Sequence, residues 1–167
     1  MKANIDNPFQ ELFTDWCGEK PEWVWILPPT ASHRMYYRIK SRNYSAIGVY
    51  NPNYWENKAF VSMTRLFLAE NIPVPQLYGE ELESDIYLLE DLGDESLFDV
   101  IIKESKNQVY SPFLKALLKR ALGELARMQI IGGKKFDFEV CYPYKEFGKE
   151  SVLYDLKYFQ EQFLDQL

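Results

Sequence analysis

Ile86-Tyr-Leu-Leu-Glu-Asp-Leu-Gly-Asp94 is the stretch on which the fold turns. Five mostly apolar residues run to Glu90, an acidic, glycine-containing turn breaks them, and a helical pattern opens near Ser96. That order reads as a buried strand feeding a helix through a tight hinge.

Upstream, the pattern is that of an antiparallel sheet. Trp23-Val-Trp-Ile-Leu27 is short and apolar, which suits a strand, and Pro28-Pro29 stop it. Met35 to Lys40 alternates, with Met35, Tyr37 and Ile39 on one face and Tyr36, Arg38 and Lys40 on the other. Ser41-Arg-Asn43 supplies a hairpin turn into a third strand, Tyr44 to Tyr50. From about Tyr54 to Glu70 the spacing becomes helical, with Trp55, Ala59, Phe60, Met63, Leu66 and Phe67 predicted inward. Ile72-Pro-Val-Pro75 leads, extended, into a strand over Gln76 to Gly79, and Glu80 to Asp85 is a turn into Ile86. The predicted order is therefore strand, strand, strand, helix, strand, strand.

Helices flank this sheet. The first is predicted from about Asn7 to Gly18, capped by Asp6 or Asn7, with Phe9, Leu12, Phe13 and Trp16 as its apolar stripe. After the hinge come a short helix from Ser96 to about Lys103 and a longer one from Pro112 to Ile131. Ser111 caps the longer one, Gly132-Gly133 follow it, and Phe113, Leu117, Ala121, Leu125 and Met128 are its inward face. A final helix over Val152 to Leu167 carries Leu153, Leu156, Phe159, Phe163 and Leu167. The fold class is α+β, with units expected at 1–92 and 93–167.

Composition narrows the function. The 167 residues are 47% apolar and 16% aromatic, enough for a sizeable core and unlike a disordered chain. A net charge of −6 argues against a nucleic-acid footprint, which needs clustered Lys and Arg. No apolar run approaches the roughly 18 residues of a membrane span, and the N-terminus lacks a signal-peptide core, so a cytoplasmic location is expected. Cys17 and Cys141 have no partners at metal-ligand spacing and are read as reduced thiols.

Four motifs carry a family resemblance: Ala31-Ser-His-Arg-Met-Tyr-Tyr-Arg-Ile39, Glu56-Asn-Lys-Ala-Phe60, Ile72-Pro-Val-Pro75, and Leu89-Glu-Asp-Leu-Gly-Asp94 with Ser96-Leu-Phe98. Together they resemble the aminoglycoside phosphotransferase-related kinases, and within them the bacterial branch that includes cell-wall amino-sugar kinases. The resemblance implies a protein-kinase-like small lobe over 1–92, a five-stranded antiparallel sheet with an inserted helix, and the start of a large lobe from 93. It also implies ATP with Mg2+ and a sugar or aminoalcohol hydroxyl as acceptor.

By that resemblance, the loop from Leu27 to Ile39 lies over the β- and γ-phosphates, with Thr30, Ser32, Arg34 and Arg38 as nucleotide-binding candidates. Glu90 would offer its C=O and Leu92 its N–H to adenine. Asp91 and Asp94 are read as charge at the start of the following helix, with contact to a sugar as the alternative. Many kinases pair a third-strand lysine with a helix glutamate. Here the corresponding tetrad is read as Ser45-Ala-Ile-Gly48, without lysine, while Glu56 is suitably placed on the helix and Lys58 is an alternative partner for it.

Catalytic and metal residues are absent from this reading. In the family the resemblance points to, the aspartate that accepts the hydroxyl proton and the asparagine and aspartate that hold magnesium lie in the large lobe, in a His-x-Asp segment and the strand after it. The single histidine, His33, sits in the phosphate loop and is read as a loop residue. Residues 1–167 are therefore expected to be the ATP-binding part of a longer phosphotransferase, not to phosphorylate anything alone. The alternative is a non-catalytic binding or dimerisation module, with self-association through the C-terminal helix.

Overall fold

The computed structural model describes residues 8–29, 32–104 and 110–166. Its elements are α1 (Gln10–Cys17), β1 (Trp23–Ile26), β2 (Met35–Lys40), β3 (Ser45–Tyr50), α2 (Tyr54–Ala69), β4 (Leu77–Glu81), β5 (Ile86–Glu90), α3 (Leu97–Glu104), α4 (Pro112–Arg127), a single turn α5 (Gly133–Lys135), and α6 (Lys149–Gln162). The five strands form one sheet in the order β1-β2-β3-β5-β4, with every neighbouring pair antiparallel. The fold is α+β, with α2 inserted after the third strand.

Strand alternation divides the core. Ile39, Ala46, Ile86 and Leu88 point to one face and bury Phe9 and Phe13 of the α1 region, with Leu12 and Trp16 packed alongside. Val49, Tyr87 and Leu89 point to the other, where Tyr36, Ile47, Phe60 and Leu77 join them. The register that opposes Arg38 to Ile47 and Ile47 to Leu89 puts these side chains in one row across the sheet. Gly48 belongs to the α1 face: a Cβ built there would stand 2.8 Å from both Ile39 Cδ1 and Phe9 Cδ1. The glycine is needed because the first helix region presses directly on the third strand.

Local signals account for most boundaries. Gly18 ends α1 at φ 77, its N–H donating to the Thr14 carbonyl. Asn53 caps α2, accepting from the Glu56 N–H at 3.1 Å, and Ser111 caps α4, accepting from the Leu114 N–H at 3.1 Å. Ser96 accepts from the Asp99 N–H while Asp99 accepts from the Ser96 N–H, a reciprocal cap on α3.

Several expectations are corrected. The helix expected from Asn7 begins at Gln10, with Phe9 in the cap position; Asp6 and Asn7 lie outside the described residues. On α2, Trp55 and Met63 are exposed and the buried line is Asn57, Val61 and Thr64. The turn expected from Glu80 is shorter, because β4 continues through Glu81 past a bulge between Leu77 and Gly79. On α4, Phe113 and Leu125 of the expected inward face are exposed, and Leu114 is the buried residue. The helix expected to reach Ile131 passes at Met128 into a wider turn, Met128–Gly132. Gly132 is no left-handed stop: its φ is −58, and it lies buried against Phe67, 3.1 Å from where its Cβ would stand.

By internal contacts the chain divides into Met1–Phe136 and Asp137–Leu167. The second unit comprises a short turn at Phe138–Val140, a cis Tyr142–Pro143 bond and α6, whose Ser151 is buried while Leu153, Leu156 and Phe159, and Phe163 just past its end, are exposed. Leu167 lies outside the described residues. Among the described residues no helix is long and apolar enough to cross a membrane. Both cysteines are free.

Candidate functional site

The turn from β3 into α2 is held by asparagines. Asn51 Nδ2 donates to Asn57 Oδ1 at 3.0 Å, and Asn57 Nδ2 returns a bond to the Asn51 carbonyl at 2.7 Å, both residues being fully or almost fully buried. Asn51 Oδ1 also accepts from the Asn53 N–H. In an ordinary capping box the glutamate three residues into the helix would take that N–H. With Asn51 serving instead, the Glu56 carboxylate is left to reach outward.

It meets Arg34. The Arg34 Nη2 to Glu56 Oε1 distance is 2.6 Å, across the gap between the start of β2 and the first turn of α2. The guanidinium lies 5.4 Å from the centroid of Phe60, and Phe60 stacks on Tyr87 of β5 at 5.2 Å. Burial pushes the Tyr87 phenol well above its ordinary range, with Arg34 acting in the opposite direction. Arg34 Nε is buried and has no hydrogen-bond partner among the described residues. A donor left unpaired in a desolvated spot favours an incoming acceptor. Lys58, the alternative partner for Glu56, instead lies 5.2 Å from the Trp55 ring.

The position of Gly48 bears on the absent lysine. A side chain there would enter the packed layer between β3 and α1, away from α2. The β3 positions that face α2 are Ile47 and Val49, so the fourth position of the tetrad Ser45 to Gly48 does not face the helix glutamate. The cation facing the helix glutamate comes from the segment before β2.

Arg38 has different partners. Its Nε stands 2.9 Å from Asp91 Oδ2, its Nη2 donates to Asp91 Oδ1 at 3.0 Å, and its Nη1 donates to Asp94 Oδ1 at 2.6 Å. Ser45 Oγ and the Gly93 N–H also donate to Asp91. Burial acts to raise the Asp91 carboxyl, but the bonds from Ser45 and Gly93 and the charge of Arg38 hold it below its ordinary value. The bond to Asp94, opposed by burial and aided by Asp91, raises the Arg38 guanidinium above its own. Asp91 and Asp94 thus serve a buried arginine of β2; the helix-start role predicted for them falls to Asp99.

The remaining sequence candidates are dispersed around this face. Ser32 and His33 are exposed in the bend before β2, and Thr30 lies outside the described residues. Lys40 Nζ sits 5.6 Å from the Trp25 ring. The Glu90 N–H donates to the Gln76 carbonyl at 2.9 Å, and its side chain accepts from the Gln76 N–H. Leu92 is 68% exposed. Among the described residues no group of three or more His, Cys, Asp or Glu side chains is placed to hold a metal ion. Sequence reasoning missed Asn51 and Asn57, because a buried amide pair split between a strand end and a helix has no periodic signature.

No protein-family model matches the chain. It is 29% identical over 119 residues to the N-acetylmuramate/N-acetylglucosamine kinase of Pseudomonas putida, a match covering 69% of this chain and 35% of that protein. It is likewise 29% identical over 118 residues to the N-acetylmuramate/N-acetylglucosamine kinase of Pseudomonas aeruginosa, covering 68% of this chain and 35% of that protein. The chain therefore spans about a third of the length of the curated relatives it matches.

Proposed function

We propose that the sheet and α2 form the nucleotide-binding lobe of an ATP-dependent small-molecule kinase that phosphorylates an amino-sugar hydroxyl in its complete form. The observation that carries this reading is the Arg34–Glu56 pair: a cation held by a helix carboxylate just before β2, with one buried nitrogen that has no hydrogen-bond partner among the described residues. Phosphoryl transfer depends on such fixed positive charge, because its transition state spreads negative charge over the transferred oxygens. The two relatives support the reaction class and the acceptor class through their names.

On this reading Arg34 takes the part that a third-strand lysine plays elsewhere, and Glu56 orients it. Ser32 and Thr30 are the hydroxyl candidates for the phosphates, and the Glu90 C=O and Leu92 N–H read the base. Magnesium would supply counter-charge between the β- and γ-phosphates when bound. No catalytic base is assigned to these residues. The exposed apolar face of α6 favours a second reading, a binding or dimerisation module derived from such a lobe.

Thermal unfolding with ATP, ADP and inorganic tripolyphosphate tests the proposal. At a hundredfold excess over Kd a ligand specific to the native state adds about 2.7 kcal/mol, which for a chain of this size is a rise of roughly 5–10 °C. Arg34→Ala is expected to weaken ATP at least tenfold, and Glu56→Gln to weaken it less. Absence of any shift with all three ligands would refute the nucleotide reading and leave the module.

A further inference from the structure

Residues 91–94 lie beyond the last rung of the sheet, the Ala46–Glu90 pair, and before α3 begins at Leu97. Strand pairing does nothing to fix them, and Gly93, at φ 83, occupies backbone that most residues avoid. Asp91 and Asp94 bracket Leu92 and Gly93, and both are gripped by Arg38, which projects from β2 across β3.

We infer that Arg38 is the positioning residue of this hinge, holding the backbone of 90–92 in the orientation that selects adenine over other bases. The inference rests on the nucleotide reading above. Three features support it. The partners of Arg38 belong to one segment and contribute nothing to strand register, which the ladders already set. Burying a guanidinium costs more than burying an apolar side chain of similar size, so stability alone does not account for it. Asp94, whose side chain is 84% exposed, nevertheless turns back to Arg38 at 2.6 Å. The planar fork of arginine can hold a carboxylate at two points, which a lysine cannot. Ser45 donates to the same carboxylate.

The test is calorimetric titration of the wild-type chain, Arg38→Lys and Asp94→Asn with ATP, GTP and inorganic tripolyphosphate. The wild type is expected to prefer ATP to GTP by tenfold or more. Both variants should lower that preference at least threefold while binding tripolyphosphate within twofold of wild type. Asp94 is exposed, so its variant remains readable should Arg38→Lys fail to fold. An unchanged ATP-to-GTP ratio in a folded variant, or tripolyphosphate affinity falling in step with ATP, overturns the inference. So does a wild type that binds ATP and GTP equally, an outcome that leaves the nucleotide reading standing. A wild type that binds neither ATP nor tripolyphosphate removes the nucleotide reading itself.

Discussion

Asn57→Ala is the substitution whose cost follows most directly from the structure. It removes both bonds of the reciprocal amide pair, at 3.0 and 2.7 Å, from a site with essentially no solvent exposure. Asn51 would keep a buried Nδ2 and a buried carbonyl, both unsatisfied. Each such group costs about 1–3 kcal/mol. Allowing for water to enter the space left by the amide, a loss of about 3 kcal/mol is expected, a large part of the ~5–15 kcal/mol that usually separates folded from unfolded chains. Asn51→Ala should cost a comparable amount, since it also deprives the Asn53 N–H of its acceptor. The double variant should cost less than the sum by about 1–2 kcal/mol, because neither side chain then strands the other. Urea unfolding followed by far-UV circular dichroism measures all three, provided that the m-value is unchanged. A loss below about 0.5 kcal/mol for Asn57→Ala, or strict additivity in the cycle, would refute the reasoning.

Two further predictions concern the sheet and its acid sensitivity. Gly48→Ala places a methyl 2.8 Å from Phe9 and Ile39 and should destabilise by about 1–3 kcal/mol in thermal unfolding; Gly48→Lys should give no gain in ATP affinity, and a gain in titration would show that this position does face the nucleotide. The Asp91 carboxyl is held below its ordinary value in the folded chain, so its contribution is complete above its unfolded pKa of about 3.9 and is lost as pH falls through the lower folded value. The stability gap between wild type and Asp91→Asn should therefore narrow only below about pH 4, and a gap constant from pH 7 to about pH 2.5 in urea titrations would contradict this.

The strands were legible because their alternation and their turns agree. Met35 to Lys40 puts Ile39 and Tyr36 on opposite faces, and those faces became the two halves of the core. What the sequence concealed was polar burial. Asn57, between Glu56 and Lys58, reads as part of a solvated face, and periodicity placed Trp55 inward; the amide pair at the helix start rotates α2 so that Asn57, Val61 and Thr64 are covered and Trp55 is not. Arg38 was legible as a residue on the Tyr36 face of its strand but not as the partner of Asp91, because ion pairs 53 residues apart leave no local trace. Glu56 was located correctly on the helix. Its pairing with Arg34 was not legible, because the cation lies before β2 and carries no local signal toward a helix that begins only after β3. On α4, Phe113 and Leu125 followed helical spacing, but spacing alone does not say that a face is covered.

The Arg34–Glu56 pair has one more consequence. A cation rooted in a central strand can lose its helix partner when the helix swings away, leaving the strand undisturbed. Here cation and carboxylate both sit at the rim, one in the segment before β2 and the other on a helix whose start is locked to β3 by buried amides. Displacing the helix would mean breaking that lock, so it cannot act as an inexpensive toggle.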